Sequence, residues 1–551
     1  MRILEPLSLL VLFGCLSCGI AKVDDLVETD GIADDFHHRN SGKFLFSNEP
    51  PAGREYETPE ELTLSAEDEL YLTVLLDNSL TNYLHRLAPE VTLAELDRSG
   101  NYQFTFFVDG KVIYTSNLHP GAPRAAEKHR QTRLDKPLVS HPFADWWSAY
   151  LWNRFMGNGG EAALTAGRHD LRIEIRPYLD REQVLVGEII AAGNVMLDVV
   201  LPSISDVNID SIAVAKPLPY NGLFPAEREP VRRPLQELRA KIEAGIYRDV
   251  TSVVVLQGDA ILIEEYYNGA TRESLHDVRS VGKTFASTLL GMAIADGYLE
   301  SERQQLGTFY DLHEYDNYDK RKSSIALYDL LTMSSAFLGN DADPDSPGNE
   351  ELMYPTEDWV RFTLNLPVDP NTDRRWKYFT AGVVVLGDIL DQHVPNSLEA
   401  YAERRLFSPL GITSQVWQHT PQGVANTAGG IQMTSLDFAK YGLLYELEGQ
   451  WKGKQLLPKE WIAKSITRQI AITDRPQEYY GYLFWNKIYR VDGRELETYY
   501  CAGNGGNKIF VFPNEDLVVV VTATAYGMSY AHSQVDEIME LHVLPAVLQG
   551  K

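Results

Sequence analysis

The stretch LHDVRSVGKTFASTLLGMAI, residues 275–294, decides the fold of the larger part of this chain. It contains Ser280-Val281-Gly282-Lys283, which is the only Ser-x-x-Lys among the 551 residues. Apolar residues recur along one stripe after Lys283, which predicts a helix over 284–294. Ser280 then lies at the start of this helix, one turn before Lys283 and on the same face. The amine and the positive end of the helix dipole can together activate a serine hydroxyl without a histidine.

Two further segments have the composition of a catalytic site. Tyr378-Phe379-Thr380 opens a second apolar helix, predicted over 381–390. The segment Cys501-Ala502-Gly503-Asn504-Gly505-Gly506 precedes two strongly apolar strands, predicted over 509–512 and 517–524. Strands are also predicted at 250–256 and 260–267, so strands from both ends of this region enclose the helices, and we expect them to form one antiparallel sheet.

The three motifs, in this order and spacing, resemble those of the class C β-lactamase and penicillin-binding-protein family of serine hydrolases. Segments 325–335, 405–412 and 429–435 are also similar to that family's sequences, and the resemblance covers roughly residues 225–551. It implies an α/β fold of the β-lactamase/transpeptidase type, an antiparallel sheet flanked by helices. It also implies a helical subdomain beside the sheet, with the catalytic site in the cleft between them.

The resemblance implies catalytic roles for three residues. Ser280 would be the nucleophile that forms an acyl-enzyme. Lys283 would accept its proton or keep the neighbouring base anionic, and the sequence leaves both alternatives open. Tyr378 matches the tyrosine that the family places across the cleft. A phenol has a pKa of about 10, so Tyr378 acts as a base only if nearby cations lower that pKa.

The substrate-binding side departs from the family pattern. Thr380 stands where the family usually has Asn or Ser. Cys501-Ala502-Gly503 replaces a Lys or His, Thr or Ser, Gly triplet, so the positive charge of that motif is missing. The glycine-rich continuation resembles the esterase and amidase branches, including 6-aminohexanoate-oligomer hydrolases. We expect Thr380, Cys501 and Gly503 to contact substrate, and the backbone N–H groups of Ser280 and Asn504 to form an oxyanion hole.

The region before this domain has a different pattern. Apolar and charged residues alternate over 171–176, and Asp109-Gly110 separates two apolar runs, as in a hairpin. These patterns predict an all-β sandwich domain over 42–202, a linker over 203–224 and the hydrolase domain over 225–551. The aromatic cluster within 138–160 (Trp146, Trp147, Tyr150, Trp152) would be either a carbohydrate-stacking surface or part of the core.

The first residues are typical of an export signal. An apolar run over 6–14 is too short to span a bilayer, and residues 1–19 are interpreted as a signal peptide, followed by a polar tether over 20–41. Leu12-Phe13-Gly14-Cys15 resembles a bacterial lipobox, which would make Cys15 the lipidated first residue; an ordinary cleaved signal peptide is the alternative. We therefore expect a periplasmic protein or an outer-membrane-anchored lipoprotein.

Charge and composition exclude several classes of partner. The formal net charge of −27 would repel phosphate, so we expect no nucleic-acid partner and no membrane contact except a lipid anchor. The one CxxC, Cys15-Leu16-Ser17-Cys18, falls within the predicted signal peptide, and the sequence has no HExxH or EF-hand pattern. We expect neither a metal nor another cofactor.

The sequence thus predicts an exported serine hydrolase that cleaves a small ester or amide. The alternatives are a β-lactamase or D-Ala-type carboxypeptidase and, from another class, a catalytically silent binding protein on the same fold.

Overall fold

The structure is a computed structural model. It describes residues 23–51, 58–65, 68–118, 123–139, 146–181, 183–343, 346–369, 375–472, 475, 477–528 and 530–548. Internal contacts divide the chain into two compact units, Met1–Val200 and Leu201–Lys551. Cys15 and the predicted signal peptide lie outside the described residues.

The first unit is rich in strands. The strands are β1 (Lys43–Ser47), β2 (Glu61–Leu64), β3 (Leu70–Leu75), β4 (Gly100–Val108), β5 (Lys111–Asn117), β6 (Arg133–Val139), β7 (Gly167–Leu179), β8 (Leu185–Val186) and β9 (Ala191–Val199). The helices are α1 (Asp35–Asn40), α2 (Leu80–Leu87), α3 (Leu93–Ser99), α4 (Ala125–Arg130), α5 (Trp146–Phe155) and α6 (Glu161–Ala163).

The alternating residues of 171–176 lie in β7, at the middle of the sheet, with Leu171, Ile173 and Ile175 fully buried. The hairpin is also as predicted, because Asp109 and Gly110 both have the positive φ of a type I′ turn between β4 and β5. The sandwich expectation needs correction in its detail. The described strands join one sheet, in the order β5-β4-β7-β9-β1-β3-β6 with β2 and β8 on its flanks, and helices accompany them.

Residues expected to belong to the polar tether are instead held by this unit. The backbone N–H groups of Leu26 and Val27 donate to Asn82 Oδ1 at 2.8 and 3.0 Å. His37 is buried, and one of its ring nitrogens lies 2.8 Å from the carbonyl oxygen of Leu76. In the aromatic cluster, the Trp152 side chain is in the core against Phe155, while the side chains of Trp146, Trp147 and Tyr150 lie outside the described residues.

The second unit contains both strands and helices. The strands are β10 (Phe224–Pro225), β11 (Val250–Gln257), β12 (Ala260–Tyr266), β13 (His276–Asp277), β14 (Val416–Trp417), β15 (Ile431–Met433), β16 (Gln450–Trp451), β17 (Lys454–Gln455), β18 (Ile470–Ala471), β19 (Tyr479–Tyr480), β20 (Trp485–Val491), β21 (Arg494–Gly503), β22 (Asn507–Phe512) and β23 (Leu517–Ala523). The helices are α7 (Arg232–Glu243), α8 (Lys283–Ala295), α9 (Lys320–Ser323), α10 (Leu327–Leu331), α11 (Glu350–Met353), α12 (Trp359–Asn365), α13 (Thr380–His393), α14 (Leu398–Ala402), α15 (Ser408–Leu410), α16 (Ser435–Glu446), α17 (Lys459–Ser465), α18 (Ala531–Ile538) and α19 (Leu544–Leu548).

Strands from both ends of the second unit form one sheet, in the order β10-β12-β11-β23-β22-β21-β20-β19-β18. The antiparallel pairing of β11 with β23 confirms the predicted closure of the sheet by both ends of the domain. Neighbouring residues of β22 point to opposite faces of the sheet, and helices cover both faces. Ile509 packs against Gly442 of α16, and Lys508 binds Asp536 of α18.

Helix α8 is buried almost all round, which fixes the position of its first turn. The ring of Phe285 stacks on Tyr441 of α16, with centroids 3.9 Å apart and planes 16° apart. On another side Gly291 meets Trp461 of α17, whose ring leaves no space for a β-carbon. Because large core side chains surround the helix, its start cannot shift without opening a cavity.

The segment expected to be a linker, 203–224, packs on the second unit. The Ala215 N–H donates to Glu265 at 2.7 Å, and the Leu218 carbonyl accepts from Arg272 at 2.7 Å. Leu223 is fully buried. Proline-rich composition predicted the extended conformation here, but the buried carboxylate of Glu265 decides where the segment lies.

Candidate active site

Ser280 and Lys283 are brought together at the start of α8. A short 3₁₀ segment, Arg279–Gly282, leads into the helix, and Lys283 Nζ lies 2.7 Å from Ser280 Oγ. Lys283 Nζ also donates to the Ala428 carbonyl at 2.7 Å, and its side chain is 1% exposed. Gly282 allows the start of α8 to lie against the segment that contains Ala428, because a β-carbon at position 282 would lie only 3.0 Å from Gly429 Cα. The lysine is thus held on the serine oxygen, which itself remains partly exposed.

Tyr378 lies across from this pair, just before α13. The Lys283 ammonium is 5.2 Å from the centre of the Tyr378 ring. Burial raises the pKa of the Tyr378 phenol, and it outweighs the opposing effects of Lys283 and of a hydrogen bond with Ser280. The phenol therefore carries its proton at neutral pH, which suits a proton donor better than a resting phenolate base.

The end of β21 passes directly against Ser280. A β-carbon at Gly503 would lie 1.9 Å from the Val278 carbonyl oxygen and 3.1 Å from Ser280 N, so only glycine fits. Asn504 is the next residue, and two hydrogen bonds hold it in place. The Asn504 carbonyl accepts from Asn507 Nδ2 at 2.9 Å, and its side-chain oxygen accepts from the Gly527 N–H at 2.8 Å. Gly503 thus acts by allowing close approach, and its neighbour Asn504 is exposed.

Two residues expected to contact substrate are buried instead. The Cys501 side chain is 1% exposed and its thiol donates to Thr284 Oγ1 at 3.4 Å. Burial raises the pKa of this thiol to about 12, so it stays neutral. Thr380 is also fully buried, and its N–H donates to Asp341 Oδ2 at 2.7 Å. Successive residues of a strand point to opposite faces of the sheet. Ala502, which is partly exposed, therefore points to the face opposite the buried Cys501.

An aromatic wall beside Tyr378 was not predicted from the sequence. The Tyr378 ring stacks on Trp485 with centroids 5.8 Å apart, and Trp376 lies 5.2 Å from Trp485. Tyr480 completes the cluster at 5.1 Å from Trp485, and the Arg475 guanidinium lies 4.8 Å from the Trp485 ring centre. The wall joins two segments distant in sequence, one with Trp376 and Tyr378 and the other with the β19–β20 pair Tyr480 and Trp485, and no local periodicity links the two segments.

The acidic segment 341–351 was also not predicted to belong to the site, although its composition is visible in the sequence. Asp341 and Glu350 both act electrostatically on Tyr378, and Asp341 is also affected by Lys283.

The cationic side chains near β21, the strand that contains Cys501-Ala502-Gly503, have carboxylate partners. Lys508 pairs in register with Ala502 but is 3% exposed and binds Asp536 at 2.8 Å.

The half-exposed Arg279, next to Ser280, has its Nε 3.4 Å from Asp277 Oδ2. The Arg279 charge is therefore already paired with a carboxylate.

Within the part of the chain that the structure describes, no group of three or more His, Cys, Asp or Glu side chains could hold a metal ion. No described helix combines the length and apolar character needed to cross a bilayer.

Three solved structures illustrate what the chain is similar to. A 6-aminohexanoate-dimer hydrolase homologue from Bacillus anthracis is 18% identical, with 62% of this chain and 90% of that chain covered and a TM-score of 0.46. A penicillin-binding protein from Bacillus halodurans is 17% identical, with coverages of 54% and 98% and a TM-score of 0.43. A class C β-lactamase from Rhodobacter sphaeroides is 16% identical, with coverages of 57% and 99% and a TM-score of 0.42.

A search of curated protein sequences finds no match. The family model described as beta-lactamase, in contrast, matches residues 238–541, which is more than half of the chain. This match spans the Ser280 segment, Tyr378 and the glycine-rich strand end, and it confirms the family resemblance. The chain belongs to the β-lactamase family of serine hydrolases.

Proposed function

We propose that this protein hydrolyses an ester or amide through an acyl-enzyme on Ser280. The observation that carries the proposal is the 2.7 Å contact between Lys283 Nζ and Ser280 Oγ, on a lysine that is itself buried. A surface lysine would not hold one position, whereas this one is fixed by packing and by the Ala428 carbonyl. A fixed nitrogen on a nucleophile's oxygen is the arrangement that general-base activation requires.

In the first step, the Ser280 proton passes to the Lys283 nitrogen in its amine form while Oγ bonds to the substrate carbonyl carbon. The carbonyl oxygen becomes an oxyanion, for which the N–H groups of Ser280 and Asn504 are the proposed donors. As the oxyanion collapses back to a carbonyl, the bond from the carbonyl carbon to the leaving group breaks, and Tyr378 gives its proton to the leaving alcohol or amine. Lys283 then returns a proton to Tyr378. Water then attacks the acyl-enzyme with the same groups acting in reverse, releasing the acid and free Ser280.

The raised pKa of Tyr378 supports this division of roles. A phenol that keeps its proton can protonate a leaving group directly, while Lys283 is closer to the serine oxygen. The aromatic wall beside Tyr378 offers an apolar surface for the group attached to the carbonyl.

We expect neutral nitrophenyl esters or small amides to be hydrolysed much better than the anionic β-lactam nitrocefin. The neutral thiol of Cys501 supplies no cation, and Asp341 and Glu350 oppose a carboxylate. The preference in kcat/KM should be at least about 10-fold, the effect of one missing charge-assisted hydrogen bond. Steady-state rates with p-nitrophenyl butyrate, a matched anilide and nitrocefin measure it. Efficient nitrocefin hydrolysis would instead favour a β-lactamase.

We also propose that the apolar leader exports the protein and is cleaved before Cys15, which then carries a lipid anchor. The support is the apolar run over 6–14 and the lipobox-like Leu12-Phe13-Gly14-Cys15. In a bacterial host, Cys15→Ala should move the protein from the membrane fraction to the soluble fraction, while the control Cys18→Ala should not. Fractionation with immunodetection checks this. An unchanged distribution in Cys15→Ala would contradict lipidation at that residue.

A further inference from the structure

Asp341 is tied to the main chain of Tyr378 from both sides. The Asp341 N–H donates to the Tyr378 carbonyl at 2.8 Å, and its Oδ2 accepts from the Thr380 N–H at 2.7 Å. Its other oxygen, Oδ1, accepts from the N–H of Glu350, at the start of α11, at 2.9 Å. One residue, distant in sequence, thus joins the catalytic tyrosine's segment to the acidic segment.

The carboxylate replaces a helix cap that the local sequence lacks. Thr380 is the first residue of α13, and the N-cap residue, Phe379, has no side-chain acceptor. The first N–H groups of a helix have no partner within the helix, and a carboxylate there also meets the positive end of the dipole. Asp341 supplies this acceptor from another loop, so the start of α13, and with it the direction of Tyr378, depends on that carboxylate.

We propose that Asp341 is a positioning residue for Tyr378, holding the phenol over Ser280 and Lys283 through the Tyr378 carbonyl and the Thr380 amide. This inference rests on the proposed function, because it presupposes that Tyr378 transfers a proton during turnover. Asp341 positions Tyr378 through these backbone hydrogen bonds, and its charge in addition raises the pKa of the Tyr378 phenol.

The charge of Asp341 gives the positioning a pH dependence. The groups that act on it are Glu350, Lys283 and the bonds from Thr380, and its own charge raises the pKa of the Tyr354 phenol. Burial, together with the Glu350 charge, raises the pKa of Asp341 to about 6. Protonation turns one acceptor oxygen into a donor, so one of the two accepted backbone bonds is lost and turnover should fall below that pH.

Protonation of Asp341 affects the stability of the fold in the opposite direction from its effect on turnover. The folded protein binds it more tightly than the unfolded chain, whose pKa is near the ordinary 3.8. The Asp341 contribution therefore stabilises the fold as pH falls from about 6 towards 3.8. A loss of activity near pH 6 caused by Asp341 is thus not a loss of folded protein.

The test compares Asp341→Asn with Glu351→Gln, a matched carboxyl-to-amide change on an exposed residue of the same segment. We measure kcat and KM for p-nitrophenyl butyrate from pH 5 to 9 in the full chain. Asp341→Asn should lower kcat about 10-fold, leave KM within about 3-fold and remove the acid limb near pH 6, because a misplaced proton donor slows chemistry rather than binding. Glu351→Gln should match the unmodified protein.

If Asp341→Asn keeps normal kcat and the acid limb while Tyr378→Phe is impaired, the positioning role is wrong and the proposed function stands. A fully active Tyr378→Phe would instead overturn the proposed role of the tyrosine. A drop in both kcat and thermal stability that is the same at every pH would reduce Asp341 to a structural residue and overturn the inference.

Discussion

Replacing Ser280 by alanine should abolish hydrolysis, lowering kcat by about 10⁴-fold or more, as expected when a nucleophile is removed and only binding and oxyanion stabilisation remain. A fluorophosphonate should add to the unmodified protein on the peptide that carries Ser280, because Lys283 Nζ holds its oxygen at 2.7 Å. Intact-mass and peptide mass spectrometry measure the adduct, and esterase assays measure the rate.

The matched control is Ser287→Ala on the same helix. Ser287 is fully buried, and its hydroxyl has no hydrogen-bond partner among the residues that the structure describes. Removing that hydroxyl should leave both labelling and turnover close to normal, since no hydrogen bond is lost. Labelling of a different serine, or turnover that survives in Ser280→Ala, would refute the assignment of the nucleophile.

Changing Lys283 or Tyr378 should each lower kcat by about 10² or more while the protein stays folded, which is the usual contribution of a general acid or base. Lys283→Met keeps most of the buried side-chain volume and removes the nitrogen. Tyr378→Phe removes only the hydroxyl. Steady-state kinetics give the rates, and thermal unfolding confirms the fold.

Lys283→Arg separates the two roles that the sequence leaves open for the lysine. An arginine keeps the charge but does not accept a proton near neutral pH. If Lys283 takes the serine proton, Lys283→Arg should be as inactive as Lys283→Met. Appreciable activity in Lys283→Arg would mean that charge alone is needed and that Tyr378 is the base.

Tyr480→Phe is the control for the tyrosine. Tyr480 lies in the same aromatic wall, 5.7 Å from Trp376, and is 1% exposed. Losing its hydroxyl should change kcat less than about 3-fold, because it is not a proton-transfer group in the proposed reaction. An equal loss in Tyr480→Phe and Tyr378→Phe would indicate damage to the wall rather than to proton transfer.

The sequence by itself determined the features that depend on short spacing along the chain. Ser280 and Lys283 are one helical turn apart, so a helix start at this point is enough to bring them together. The Asp109-Gly110 turn and the alternating strand around Ile173 follow from equally local rules. The α/β fold and the family also followed from the order of the motifs, and the family match confirms them.

Only the tertiary structure decided which side chains face the candidate active site. Cys501 and Thr380 stand at motif positions, yet packing buries both. The bond from Thr380 to Asp341 joins residues 39 positions apart, and Trp485, the first residue of β20, reaches Tyr378 just before α13. In the first unit the sequence predicted the strands but not their union in one sheet. Periodicity reports which face of an element is apolar, whereas partners distant in sequence are chosen by packing of the whole domain.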